Sequence, residues 1–561
     1  MKTWINNIRR WLNGATRFTI HYSLLTIHFS LFTILFAACS LEENPRDQIP
    51  EEEAYKTASS LYLNTVATLY NYIGGHEEGQ GLQGTIRGVY DLQTFGSDEA
   101  MLPTRGGDWY DGEIWQDMYR HSWSAGHQLP GNAWVYLYKV ITLCNRSLEM
   151  LDAHSHMLSE KDLKAYQAEV RSLRAIYYWY LLDLFGRVPI ITSTTVDMNK
   201  VQQYERSQVF AFVAQELQEA CADLSDESSA HQGDYYGRVT LAVNYFVLAK
   251  LMLNAEIYTD DNWTDDRHPD GGEMLFMINN RTMNAWEATI YYCDRIEKLG
   301  YRLESHYEDN FIANNHDSNE NIWTIVLDKD LYTNEQQNLY RSWHYRHAAA
   351  YGFTGENGSC ATTRTLEIFG YDTPDQDIRF DMNYWAGQVL DRNNNPVTDR
   401  SGKPLEYMPW EVQLDLNYSP YLETAGARMK KYTVDKNAKS DGKLMDNDIV
   451  LFRFADVLLM RAEAKFRNDG GGQEDLDLVR NRVHMPLRII NLDVLLNERL
   501  LELCWEGWRR QDLIRFGRYE SLFEGDVFDN KVDETDGHTT VYPIPAKAIE
   551  LNPNIKQNPG Y

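Results

Sequence analysis

Residues 163–189 read LKAYQAEVRSLRAIYYWYLLDLFGRVP. Leu163, Tyr166, Val170, Leu173, Tyr177, Tyr180 and Leu184 step by three and four, which is the spacing of one apolar face on an α-helix. Gly186 and Pro189 mark its end. Similar patterns predict helices over 239–258, with small residues Ala242, Ala249 and Ala255 for close packing, over 285–299, over 449–467 and over 491–505. Helices of this length in succession suggest helix-turn-helix repeats of the tetratricopeptide kind, although the full repeat consensus is nowhere met. Between them the texture changes. Residues 304–445 are rich in Asn, Asp, Gly, Tyr and Trp, with short strand-like runs such as 322–327, and residues 74–132 share that texture. Loop-rich stretches of this length in a folded chain are functional or disordered, and their aromatics argue for folded. The expected fold is dominated by α-helix, with tetratricopeptide-like repeats carrying large loop-rich inserts that contain short strands.

Composition bounds what such a scaffold does. The chain has 561 residues, 54 Lys+Arg against 82 Asp+Glu and a formal net charge of −28. With 43% hydrophobic residues, 36 Tyr, 15 Trp and 20 Phe, it can bury a large core. A mean hydropathy of −0.52 excludes a polytopic membrane protein. The acidic balance excludes general affinity for nucleic acid or anionic lipid, which need clustered Lys and Arg. The surplus of Tyr and Trp is either core or a surface for flat, polar ligands.

The N-terminus carries an address. Lys2, Arg9, Arg10 and Arg17 precede the uncharged stretch Phe18–Ala38, which ends in Ala37, Ala38 and Cys39. A basic region, an apolar region and small residues before a cleavage point read as a secretory signal over 1–38. The cysteine after the small pair resembles the bacterial lipobox, in which a lipid is attached to the Cys39 thiol. A single membrane-spanning anchor is the competing reading, and the Ser, Thr and His content disfavours it. Cleavage removes four basic residues and leaves a net charge of −32. Residues 39–50 would be a lipidated tether, and Glu42 and Glu43 behind the cysteine resemble a surface-export signal. Cys144, Cys221, Cys293, Cys360 and Cys504 are scattered without CxxC spacing, so free thiols are expected rather than a disulfide framework.

Catalytic signatures are absent: there is no GxSxG, HExxH, Walker loop or GxGxxG opening a helix. His76-Glu77-Glu78 lacks its second histidine. Asp391, Asn393, Asn395 and Asp399 mimic part of a calcium loop, but Pro396 and Gly402 stand where Gly and Glu are needed. A structural calcium is conceivable and unsupported. A glycosidase-like carboxylate pair stays open among so many acids, and nothing selects one.

Ala168-Glu169-Val170-Arg171-Ser172-Leu173-Arg174-Ala175-Ile176-Tyr177-Tyr178 with Leu184-Phe185-Gly186-Arg187-Val188-Pro189 resembles the hallmark helix of the SusD/RagB outer-membrane lipoproteins. Gly237-Arg238-Val239-Thr240, Leu253-Asn254-Ala255-Glu256, Glu320-Asn321-Ile322-Trp323 and the run from Arg453 to Ala464 are similar to later motifs of that family. So are Asn497-Glu498-Arg499 through Glu502, Glu506-Gly507 and 509–517, Tyr542-Pro543-Ile544-Pro545 and Gln557-Asn558-Pro559-Gly560-Tyr561. The resemblance covers nearly the whole chain beyond the signal. It divides that chain into an N-terminal helical part (51–303) with its insert (74–132), a loop-rich ligand face (304–445) and C-terminal helices with a terminal strap (446–561). It implies a lipid-anchored outer-membrane protein that binds a glycan or other nutrient. That protein would cap a SusC-like TonB-dependent β-barrel transporter, without enzyme activity or a cofactor of its own. A hydrolase with an unrecognised carboxylate pair, or a ligand-free scaffold subunit of the transporter, are the alternatives.

Arg174, Asp183, Arg453, Asp456, Glu463, Glu498, Arg499, Glu502, Glu506, Arg509 and Asp512 lie in otherwise apolar helices, so they must be paired there. They are expected to be inter-helix ion pairs, not catalysts. Sugars present CH-rich faces to aromatic rings and hydroxyl edges to polar side chains, so ligand-binding aromatics should sit in polar, Gly-rich loops. Arg105-Gly106-Gly107-Asp108-Trp109-Tyr110 and Trp343-His344-Tyr345-Arg346-His347 fit. Trp109, Tyr110, Trp343 and Tyr345 are the expected stacking residues, with Arg105, Asp108 and Arg346 as polar partners. Trp115, Trp123 and Trp134 are expected in the core, and Trp385 and Trp410 are a reserve pair.

Overall fold

The computed structural model describes residues 55–265, 267–332, 336–440, 442–519 and 536–561. The signal, Cys39 and the tether lie outside them. The quoted stretch forms α2, Glu160–Phe185. Ser159 caps its start by accepting the Asp162 N–H at 3.1 Å, and Gly186, at φ 66°, ends it in a conformation that L side chains rarely adopt. Its partner in a helix hairpin is α1, Gln128–Ala153. On its other flank lies α3, Arg206–Ala220. The second half of α2 is buried all round, not along one stripe, because the chain's later elements cover its outer face. Trp179 stacks on Trp508 at 6.1 Å, and Asp183 accepts from Gln93, Tyr258 and Arg510.

Two further helices, α4 (Leu241–Leu253) and α5 (Ala285–Lys298), pack against each other, and α5 packs on α6, Phe454–Asp469. At the start of α5, Asn284 and Glu287 cap each other reciprocally. Then come α7 (Gln473–Arg482), α8 (Leu492–Leu503) and α9 (Arg509–Arg515). This is a helical-repeat scaffold with few and short strands. The expected helix over 449–467 is corrected at its front. Ile449–Arg453 is strand β2, antiparallel to β1, Asn321–Ile325, with Ile449 opposite Ile325 and Arg453 opposite Asn321. Both strands are buried at every position, so neither shows the alternation of a half-buried strand, and the apolar run 449–452 cannot be told from helix by periodicity.

Each of the eleven charged residues named from the sequence has an ionic partner. Arg174 meets Glu216, Asp183 meets Arg510, and Arg509 meets Asp98. Asp456 joins Lys250 and Arg499, and Asp512 joins Arg499 and Arg515. Glu463 takes Arg515 and Arg467. At the centre Arg453 bonds Glu320 at 2.8 Å, Glu502 at 2.6 Å and Glu506 at 2.8 Å. Glu502 is shared with Arg379 and Arg482, Glu498 with Arg379 and Arg480, and Glu506 with Lys431. With Asp377 on Arg379, five cations face five carboxylates in this buried knot. Burial alone would raise the Glu502 carboxyl. Arg482, Arg453 and Arg379 hold it well below the usual range instead.

The C-terminal segment caps α2. Tyr542 N–H donates to Leu184 O at 2.7 Å, and the Asn558 amide donates to Phe185 O at 2.8 Å, so both close the end of α2. Within this segment Ala546–Leu551 forms one short helix, opened by Pro545. Cys144, Cys293, Cys360 and Cys504 are buried free thiols, and Cys221 is half-buried.

Candidate functional site

The two loops singled out for ligand binding meet in space. Residues 105–108 form a tight turn in which Arg105 and Asp108 exchange both backbone hydrogen bonds, at 3.0 and 3.1 Å. Gly106 sits at φ 68°, where a side chain is disfavoured. Left-handed residues follow it: Trp109 at φ 61°, Asp111 at 42° and Glu113 at 71°. A bulky residue in this region is a genuine outlier, and such strain persists only where surroundings impose it. Here they do. The Trp109 indole N–H donates to Glu356 O at 2.9 Å. Its ring lies against Gly358, where an added Cβ would meet Trp109 Cε2 at 2.6 Å. Across the join the Tyr345 hydroxyl donates to the Asp108 carboxylate. Burial, then this carboxylate, push the Tyr345 phenol up from its ordinary value.

The structure therefore brings Asp108, Trp109 and Tyr345 together at the surface. Tyr110 is 51% exposed beside them, and Arg346 is exposed on the second loop. Two residues are corrected. Trp343 is fully buried: its N–H donates to Met429 O at 2.8 Å and its ring stacks on His347 at 4.1 Å. No face is left for a ligand. Arg105 is also buried, donating to Leu422 O at 2.9 Å and Ala425 O at 2.8 Å. It fastens the first loop to residues 422–425 instead of reaching outward. Desolvation, with Arg428 nearby, lowers its pKa to about 9. Trp115, Trp123 and Trp134 are core, as expected. Trp385 is half-buried under Lys430, whereas Trp410 keeps 44% exposure.

The sequence missed Glu356, which acts through its backbone, and Glu423, whose carboxylate meets His344 Nε2 at 3.1 Å. Neither leaves a local signal. The calcium-like residues are ordinary turn formers: Asp391 accepts the Asn393 and Asn395 N–H groups at 2.8 Å, and Asp399 accepts from Ser401 and Lys403. Two clefts of about 420 and 510 Å³ lie away from these loops, the larger lined by Tyr62, Tyr70, Tyr236 and Arg238. Their tyrosine hydroxyls and arginine are largely engaged, Tyr70 and Arg238 on Glu169 and Tyr236 on Asp448.

A helical-repeat scaffold that presents strained, loop-borne aromatics beside free polar groups has the build of a non-covalent binding protein. Over most of its length the chain is similar to the SusD/RagB family. Residues 319–561 match the sequence model of the SusD family, and residues 87–253 match a second model described as starch-binding associating with outer membrane. The starch-binding protein SusD of Bacteroides thetaiotaomicron is 26% identical over 525 residues, which cover 87% of this chain and 88% of that one. SusD-like protein P25 of Formosa agariphila is 23% identical over 565 residues, covering 93% and 96%. Among solved structures, a laminarin-binding SusD-like protein superposes with a TM-score of 0.68 at 20% identity, covering 90% of this chain and all of that one. Surface glycan-binding protein A from Bacteroides thetaiotaomicron, in complex with laminarihexaose, gives 0.67 at 20% identity, covering 90% and 99%. Among the described residues no helix is long and apolar enough to cross a membrane.

Proposed function

We propose that this chain is a glycan-binding protein of the outer membrane that captures oligosaccharide and passes it to a SusC-like TonB-dependent barrel. One observation carries the reading: loops more than 230 residues apart in sequence are pinned together by Tyr345 on Asp108, with Trp109 locked in a strained conformation between them. Aromatic faces and a carboxylate are then held ready, so little conformational entropy is lost on binding. The relatives named above, which bind starch and laminarin, support a saccharide as the ligand. Asp108, Trp109, Tyr110, Tyr345 and Arg346 are the proposed contacts. A lipid on Cys39 provides the anchor, and the family provides the transporter as partner. Binding without turnover is part of this proposal, and the pairing of Asp183, Asp456, Glu463, Glu498, Glu502, Glu506 and Asp512 with buried cations supports a structural role for those acids.

Calorimetry with maltohexaose and laminarihexaose tests this, using Tyr110→Ala and Trp109→Ala. A loss of about tenfold or more is expected for Tyr110→Ala, whose side chain supports nothing else. A bound hexasaccharide with unchanged affinity in both variants sinks the site. Chromatography of the glycan after incubation should show no shortened products.

A further inference from the structure

Trp410 was left outside the cluster just described, yet it is not a stray surface residue. It stands on the turn Pro409–Glu411, is 44% exposed, and its indole N–H has no hydrogen-bond partner among the described residues. Beneath it runs a ladder of rings. The Trp410 and Tyr371 centroids are 6.1 Å apart at 44°, Tyr371 and Phe380 4.5 Å at 33°, and Phe380 and Tyr384 5.2 Å at 21°. Phe380 and Tyr384 are core residues, so the ladder is rooted. The turn that carries Tyr371 is fixed as well: Tyr371 N–H donates to Leu366 O at 2.9 Å, Asp377 N–H to Phe369 O at 2.8 Å, and Asp372 N–H to the Gln376 side chain at 3.1 Å. Isolated exposed aromatics are ordinary. One held rigidly at the end of a stack, with its donor free, is not.

The rim of this ladder is acidic. Asp372 and Glu406 stand close enough to act on the Tyr371 hydroxyl, Asp381 accepts from Gln376 at 3.3 Å, and Glu411 follows Trp410 in sequence. Carboxylates accept from hydroxyl donors and repel anions, so the rim fits an uncharged sugar and disfavours uronate or sulfate. The segment leading away from Trp410 joins it to the Asp108 cluster. Val412, Leu414 and Leu416 are buried while Gln413, Asp415 and Asn417 between them are exposed, the alternation of an extended chain. Thr104, one residue before the Arg105 turn, bonds Leu414 O at 3.0 Å and Leu416 N–H at 2.9 Å. At about 3.3 Å per residue, the four residues from Trp410 to Leu414 span about 13 Å and bring the row beside Thr104, four residues before Asp108.

We propose that Trp410 and Tyr371 form a second saccharide platform, for a neutral glycan chain, linked to the Asp108–Trp109–Tyr345 cluster by the outward row Gln413, Asp415 and Asn417. It rests on the glycan-binding reading above. One polymer chain laid over both stations makes the second contact intramolecular, which raises its affinity over that of a short oligosaccharide without any new contact at the first station.

The test uses the mature protein, Trp410→Ala and Trp410→Tyr, with starch and laminarin as polymers and maltohexaose and laminarihexaose as short probes. Affinity electrophoresis and calorimetry report binding, and a thermal melt checks folding. Trp410→Ala should lose about tenfold or more on the bound polymer and less than about twofold on its hexasaccharide, and Trp410→Tyr should recover most of the loss. Unchanged polymer affinity in Trp410→Ala overturns the second platform while leaving the first site standing. Equal losses on polymer and hexasaccharide also overturn it, because the two stations would then be one. Wild-type protein that binds none of the four probes overturns both readings. A sulfated polymer such as chondroitin sulfate, bound in a Trp410-dependent way, overturns the neutral class.

Discussion

Arg453 and Arg105 are both buried arginines, one in the helical scaffold and one under the loop face, and they are treated in opposite ways. Arg453 is enclosed by Glu320, Glu502 and Glu506, and although burial opposes its charge, these carboxylates raise its pKa well above the ordinary value. Among the described residues Arg105 bonds backbone carbonyls and the Cys360 thiol, and desolvation lowers its pKa. The scaffold is held by charge meeting charge across helices, each partner useless without the other. On the loop face Arg105, Trp109 and Trp343 grip backbone carbonyls instead, and the Tyr345–Asp108 pair joins the two loops, so much of its shape follows the chain's path. Sequence can vary on the second kind of surface without dismantling the first. That suits a common frame carrying different ligand faces.

Substitutions can break or sharpen this contrast. Arg453→Met leaves three carboxylates short of a partner and should cost about 3–5 kcal/mol of unfolding free energy, read by urea denaturation. Removing the charge of Glu99 should act the other way. Burial pushes this carboxyl up to about 7 from an ordinary 4.5, and its Oε2 has no hydrogen-bond partner among the described residues. The folded state therefore holds its proton more tightly than the unfolded state. Its contribution to stability is fully present below pH 4.5 and is lost as pH rises to about 7. Glu99→Gln should gain up to about 3 kcal/mol on wild type between pH 4.5 and 8, with little difference at the acid end. A variant curve parallel to wild type would refute the assignment. Arg105→Met should cost only about 1–2 kcal/mol, since it forfeits two hydrogen bonds to carbonyls but also a buried charge. Faster amide exchange confined to 422–426 would mark the loosened loop. Smallest in stability is Tyr345→Phe, under about 1 kcal/mol by thermal melt, yet it frees the two loops from each other and should weaken hexasaccharide binding measurably.

The scaffold was largely legible because its signals are local. The spacing from Leu163 to Leu184, the stop at Gly186 and the charges stranded on apolar helices each state their own constraint, and the ion pairs followed from that alone. The front of the fourth helix misled because Ile449–Arg453 is apolar on both sides and pairs with a strand over 120 residues away. The loop face was legible only as a texture. Trp109 and Trp343 look alike in sequence, each beside Tyr and Arg in a polar run. What separates them is tertiary: Trp343 has the Met429 carbonyl and the His347 ring waiting for it, and Trp109 has one carbonyl and an open side. Arg105 was misread for the same reason, its acceptors lying some 320 residues downstream.

The segment 92–99 is held by partners that arrive very late. Leu92 O accepts from Tyr542, Asp98 pairs with Arg509, and Glu99 accepts the Trp505 N–H, separations of 450, 411 and 406 residues. Closing loops of that size is slow, since the ordering entropy is lost before any contact forms. During synthesis these early residues wait with their acceptors and carboxylates in water until the last helices are made. The clock that postpones collapse is the sequence distance between the two halves of one core.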